Sequence, residues 1–214
     1  MIVLALDTAL ETCSAAVVDG GRVLAARSEP MARGHQERLA PLVAEVVAEA
    51  GVGFERLDRI AVTVGPGSFT GLRVGLAFAK GLGLALGRPV IGVGTLEAMA
   101  AGSDGAVAVV LDARREQVYV QAFRDGRPLG GAEALSAEDA AALAKSAAAG
   151  APLQLIGSGG PLLAPYLPDA RLTQSAGADP VALARLAANR EPSEPKPIYL
   201  RAPDAKLPAS ALSA

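Results

Sequence analysis

The sequence predicts an α/β protein of two lobes, the second shorter than the first. Three observations predict it. Runs of continuous apolar residues, as in Ile2-Val-Leu-Ala-Leu6, suit strands buried on both faces. Segments with helical periodicity separate these runs. The opening pattern also recurs, because Leu4-Ala-Leu-Asp7 matches Val109-Val-Leu-Asp112 at an offset of 105 residues.

Taken in order, residues 2–6 form a strand, and 14–19 and 22–28 form two more around the turn Asp19-Gly20-Gly21. From His35 the period changes. Leu39, Leu42, Val43, Val46, Val47 and Ala50 fall on one helix face, and Gly51 and Gly53 end that helix. A strand at 59–64 leads through a glycine-rich loop into a helix over 69–86, with Ser68 as its N-cap. Pro89-Val-Ile-Gly-Val93 is a strand, and Thr95 is expected to cap a short helix through Ala101.

Gly102-Ser-Asp-Gly105 marks a boundary between lobes at 1–103 and 104–190. At the same offset Ala15 and Val17 meet Val120 and Ala122, Gly21-Arg22 meets Gly126-Arg127, and Leu24 meets Leu129. Ser136-Ala-Glu-Asp139 reads as a capping box before an alanine-rich helix at 137–149. Leu153-Gln-Leu-Ile156 is a strand. Asp179-Pro180 supplies an N-cap and a first-turn proline for a helix through Asn189. The tail at 191–214, with Pro192, Pro195, Pro197, Pro203 and Pro208, is expected to lie extended on the surface or to be partly disordered.

Composition narrows the function classes. Apolar residues make up 51% of the 214, but aromatics only 3%, so the core is built from Ala, Val, Leu and Ile. A net charge of −2 and few aromatics argue against direct binding of nucleic acid. One cysteine, Cys13, excludes an intramolecular disulfide framework and fits a reducing compartment. The N-terminus reads as a strand rather than a signal peptide. The 72–86 run is short, glycine-rich and broken by Lys80, a poor membrane span. These features lead us to expect a cytoplasmic protein.

Two β-β-β-α-β-α units with a duplicated start imply two ribonuclease-H-like lobes of the actin-like ATPase (ASKHA) superfamily, the second abbreviated. In that class, acids such as Asp7 and Asp112 help hold a metal–phosphate group in a shared cleft. Here the hairpins after them, Thr8-Ala-Leu-Glu-Thr-Cys13 and Ala113-Arg-Arg-Glu-Gln117, carry no glycine, and the first carries no lysine. A backbone closing on an anion needs such residues, so the two acids read as turn formers at strand ends.

Other chemistries lack parts. His35 is the single histidine, and Leu39 stands four residues on where a metal-binding pair needs a second one. No G-x-S-x-G elbow surrounds Ser68. Leu72-Arg73 follows Gly71 where a P-loop needs Lys-Ser. Cys13 reads as a small buried apolar residue. No catalytic, cofactor or metal residue is assigned.

The helix at 69–86 holds the strongest signal. Gly71, Gly75, Ala79, Gly83 and Gly87 trace a stripe of small residues, although glycine costs about 1 kcal/mol each against alanine. Val74, Phe78, Leu82 and Leu86 form an apolar stripe beside it. A helix apolar nearly all round is buried on two sides, one against its own sheet and one against a partner. The expected partner face takes Gly71, Val74, Gly75, Phe78, Ala79 and Leu82 from this helix, and His35, Leu39, Leu42 and Val46 from the helix at 35–50.

Ala5-Leu-Asp-Thr8, Gly34-His35 with Glu37-Arg-Leu39, Val64-Gly-Pro-Gly-Ser-Phe-Thr-Gly-Leu-Arg-Val-Gly75, Leu111-Asp-Ala-Arg114 with Val118-Tyr119, and the closing Ile198-Tyr-Leu-Arg201 resemble the TsaB (YeaZ) family. The resemblance runs from residue 1 to about 125, and residues 126–190 add only general pattern. It implies a non-catalytic scaffold in bacterial synthesis of tRNA threonylcarbamoyladenosine. Such a subunit pairs with the catalytic paralogue TsaD, and the ATPase TsaE docks on the pair. It further implies a homodimer when the chain is alone, tRNA reached only through the complex, no cofactor bound by the chain itself, and ATP or ADP at the heterodimer junction. The alternative is a small-molecule kinase of the same superfamily.

Overall fold

The computed structural model describes residues 1–201, so Pro203 and Pro208 lie outside the described residues. The first sheet is built from β1 (Ile2–Asp7), β2 (Thr12–Asp19), β3 (Arg22–Pro30), β4 (Arg59–Thr63) and β5 (Val90–Val93). Helices α1 (His35–Glu49), α2 (Phe69–Leu86) and α3 (Thr95–Ala100) interrupt them. The second sheet holds β6 (Ala106–Arg114), β7 (Gln117–Arg124), β8 (Arg127–Pro128), β9 (Glu133–Ser136), β10 (Leu153–Ile156) and β11 (Arg171–Thr173). Among its strands lie α4 (Ala137–Ala148) and α5 (Gly160–Leu163), and α6 (Pro180–Ala188) follows.

Strand order shows the duplication directly. The sheets run β3-β2-β1-β4-β5 and β8-β7-β6-β10-β11, with β9 also on β7. In each, an antiparallel hairpin leads and two parallel strands follow. The hairpin turns repeat residue for residue. Gly20 and Gly21 have φ of 54° and 92°, and Asp125 and Gly126, 105 positions on, have 50° and 70°. Two successive left-handed residues make the tight turn whose twist matches the flanking strands.

The first sheet is covered on both faces. Leu4, Leu6, Val17, Ile60 and Val62 pack under α1 and α2, whereas Val3, Ala5, Ala16, Ala61 and Ile91 pack under α6. Its central strands therefore read as unbroken apolar runs. Although α6 follows the second sheet in sequence, it packs on the first, crossing the boundary expected at 104–190. The helix α3 lies between the sheets. Leu96 and Ala100 face Val107, Val109 and Phe123, while Ala98 faces Ile91.

The strands, helices and caps expected from pattern are present at 2–7, 35–49, 69–86 and 180–188. Ser68, Ser136 and Asp179 accept the expected N-cap bonds from Gly71, Asp139 and Val181. Thr95 differs. The N-cap of α3 is Gly94, and the Thr95 hydroxyl is buried inside the first turn with no hydrogen-bond partner among the described residues. The short strands β9 and β11 had no signal, since Glu133-Ala-Leu-Ser136 and Arg171-Leu-Thr173 are too short to show alternation.

Candidate functional site

The loop Val64-Gly-Pro-Gly-Ser68 turns the chain from β4 into α2. Gly65 has φ of 109° and the Gly65–Pro66 peptide is cis. The Ser68 amide donates to the Ala9 carbonyl at 2.7 Å, and a Cβ on Gly67 would lie 2.5 Å from that oxygen. This loop is therefore seated on the β1–β2 hairpin.

The glycines of α2 serve the same close packing. A Cβ on Gly75 would stand 2.6 Å from the Thr8 hydroxyl, and one on Gly83 would stand 2.5 Å from the Val90 side chain. Gly71 abuts the Thr8 carbonyl, and the Thr8 hydroxyl donates to the Gly71 carbonyl at 2.7 Å. The small stripe thus brings α2 against the chain's own sheet. That corrects the expected partner face. Gly71, Gly75 and Ala79 are buried against the sheet, and Leu39, Leu42 and Val46 belong to the core beneath α1. All six are buried within this chain itself.

What faces outward is a different pair of rows. On α2, Arg73, Ala77, Lys80, Gly81, Leu84 and Ala85 are exposed, with Leu84 at 87%. Val74, Phe78 and Leu82 are half-buried beside them, so these three positions do reach the surface. On α1 the exposed row is Ala40, Pro41, Ala44 and Ala48. The two helices are in contact, and apart from Arg73 and Lys80 the exposed positions named on them carry no charge. Ala40-Ala44-Ala48 and Ala77-Gly81-Ala85 are spaced by four in the sequence, a signal as regular as the stripe that drew attention away from it.

By length and composition α2 is apolar enough to cross a membrane. Its buried residues pack on the first sheet.

His35 does not join the outer rows. It is half-buried, and its Nε2 lies 3.2 Å from the Thr12 carbonyl oxygen. It lines an interlobe cleft of about 810 Å³ together with Glu11, Arg33, Ser68, Asp112 and Tyr119.

The two duplicated acids have diverged. Asp112 is exposed and accepts from the Arg114 amide at 2.8 Å, as a turn former does. Asp7 is fully buried. Its Oδ1 accepts from the Ala9 amide at 2.9 Å and from the Thr63 hydroxyl, and its Oδ2 accepts from the Ala178 amide at 3.2 Å. Burial pushes its pKa up, and the bond from Thr63 and the two amide bonds pull it down by less. Asp7 therefore does more than shape a turn, because it ties the chain entering α6 to the end of β1.

Cys13 is buried, and desolvation, chiefly, pushes its thiol up to about 11. It is unreactive as a nucleophile at neutral pH.

Residues 27–159 match the family model described as TsaD: tRNA N6-adenosine threonylcarbamoyltransferase. An uncharacterised protein of Mycobacterium leprae is 39% identical over 213 residues, covering 96% of this chain and 56% of that protein. The tRNA threonylcarbamoyladenosine biosynthesis protein TsaB of Escherichia coli is 41% identical over 124 residues, 56% of this chain and 53% of that protein. The matched stretch thus spans about half the length of that curated relative. The crystal structure of YeaZ from Pseudomonas aeruginosa superposes with a TM-score of 0.80 at 32% identity, covering 93% of this chain and 99% of that one. A (R)-2-hydroxyglutaryl-CoA dehydratase component from Acidaminococcus fermentans, at TM-score 0.53 and 10% identity, shares the fold alone. With sequence identity and fold agreeing over nearly the whole YeaZ chain, this protein belongs to the TsaB (YeaZ) family.

Proposed function

We propose that this chain is the non-catalytic scaffold in formation of threonylcarbamoyladenosine on tRNA. It docks the catalytic paralogue TsaD through the outer face of α1 and α2. The observation that carries the reading is that face, where Ala77, Gly81, Leu84 and Ala85 lie open beside Ala40, Ala44 and Ala48. Soluble monomers rarely leave large apolar patches uncovered, and small side chains let two helices approach closely. A stable contact here needs roughly 1,000 Å² or more. The same face is self-complementary enough for a two-fold homodimer when the paralogue is absent.

The remaining roles follow from the site chemistry. Asp7 is sealed by three hydrogen bonds and so holds no phosphate, which argues against the kinase alternative. We therefore place ATP or ADP at the junction with the paralogue and not on this chain alone. TsaE docks on the heterodimer, and tRNA is reached through the complex, since a net charge of −2 gives this chain little hold on a phosphate backbone. The compartment is the cytoplasm.

The test is a reconstituted reaction with purified TsaD, TsaE, threonylcarbamoyl adenylate and unmodified tRNA, with and without this chain. Modified nucleoside should accumulate at multiple turnovers only when the chain is present. Equal product without it contradicts the scaffold role, and product from the chain alone contradicts the non-catalytic one.

A further inference from the structure

The segment after α6 is not a loose tail. Arg190 begins it, donating to the Gly92 carbonyl at 3.1 Å and pairing with Glu97. Pro195 is buried, and its Cβ lies 3.1 Å from where a Cβ on Gly92 would stand. The Ile198 amide donates to the Val64 carbonyl at 2.7 Å. Its own carbonyl oxygen would lie 2.7 Å from a Cβ on Gly65. Tyr199 stacks on Phe69 with centroids 5.3 Å apart, and the Arg73 guanidinium covers the Phe69 ring at 3.7 Å. Then Arg201 crosses to the other lobe and donates to the Ala113 carbonyl at 2.8 Å.

Two features make this a built seat. Gly65 lies in the loop after β4 and Gly92 in β5, yet a tail residue stands close at each: the Ile198 carbonyl at the first, and Pro195 beside the Val64 side chain at the second. An incidental surface path would not coincide with a missing side chain at both points. Two of the anchors, Phe69 and Ala113, also flank the interlobe cleft from its two sides. Gly67, Ser68 and Thr70, flanking Phe69, line one wall, while Leu111, Asp112, Ala113 and Arg114 line the other. The lobes are also joined by the chain crossings near 101–105 and 174–179, by α3, packed between the sheets, and by Leu10, which packs on the cluster of Leu111 and Phe123.

We propose that residues 190–201 are a strap that clamps the two rims of the interlobe cleft and fixes its width. Lobes of this architecture can pivot about the elements that join them. The strap opposes that pivot, because opening the cleft must pull Arg201 from Ala113 or peel Ile198 from Val64. The cleft of this chain is thereby held as one shape.

Spin labels report the rim separation. Gln36→Cys on α1 and Glu138→Cys on α4 are exposed and lie outside the strap and its seat. Cys13 is buried, so labelling goes to the introduced pair. Inter-label distances are measured by pulsed electron paramagnetic resonance in the full-length chain, in Arg201→Ala and in Ile198→Pro. The first variant removes the bond to Ala113, and the second removes the amide that binds Val64. The parent is expected to give one narrow distribution. Both variants are expected to give broader distributions shifted to longer distance. An Arg201→Ala distribution that superimposes on the parent overturns the proposal, whatever the Ile198→Pro protein shows.

Discussion

The Thr8 hydroxyl donates to the Gly71 carbonyl at 2.7 Å, and the Thr8 backbone oxygen fills the space where Gly71 has no side chain. The strand end after Asp7 and the first turn of α2 are thus in direct backbone contact. The glycine stripe is a packing device inside one chain, and the outer face of the same helix stays exposed.

Gly71→Ala and Gly75→Leu are accordingly expected to damage the fold. Forcing atoms into a packed seam costs about 1–3 kcal/mol, and both positions meet atoms of Thr8. Urea denaturation should show a lower midpoint for each, with the Leu variant the worse. Unchanged midpoints would mean that α2 can move off the sheet.

Arg59 should matter more than a half-buried strand arginine usually does. Its Nη1 donates to the carbonyls of Ala187, Ala188 and Arg190 at 2.9, 3.3 and 2.9 Å, where α6 ends. It satisfies orphan carbonyls and sits at the negative end of the helix dipole. Arg59→Ala is expected to cost about 1.5–3 kcal/mol, and faster amide exchange in α6 should accompany it. A stability loss without that local exchange would place the effect elsewhere.

The Asp7 carboxyl gives a pH signature. Its folded pKa lies above 3.8, raised first by burial. Over the window from 3.8 up to the folded value, the folded state holds a proton that the unfolded state has released. This group's contribution to stability therefore falls as pH rises through that window. Asp7→Asn abolishes the titration and sets an amide N–H against the Ala178 amide, so the variant is less stable throughout. The gap in melting temperature between the two proteins should be widest near the acid end of the window and narrow toward neutral pH. A gap that widens instead would show the carboxylate to be the favoured buried form.

Much of this was legible in the chain. Apolar runs and caps place β1, α1, α2 and α6, because burial on two faces and hydrogen-bonding side chains leave local marks. The turn at Gly20-Gly21 and its copy at Asp125-Gly126 are legible for the same reason. The direction of the α2 glycines was not. Close approach to a strand and close approach to a second protein ask for the same small residues, and only the position of Thr8 decides between them. Nor could the docking of α6 on the first sheet be read, since it depends on a chain crossing made by Ala176 to Ala178. The seat of Pro195 and Ile198 depends likewise on two glycines more than 100 residues away.

The central claim is that the outer face of α1 and α2 docks the catalytic paralogue. Calorimetric titration of TsaD with the parent chain, Ala77→Arg and Leu84→Arg tests it most directly. Both side chains are exposed, so the variants should keep the parent melting temperature. An arginine in the centre of an apolar helix contact should weaken binding at least tenfold, about 1.4 kcal/mol. Parent-like affinity in both variants would contradict the account.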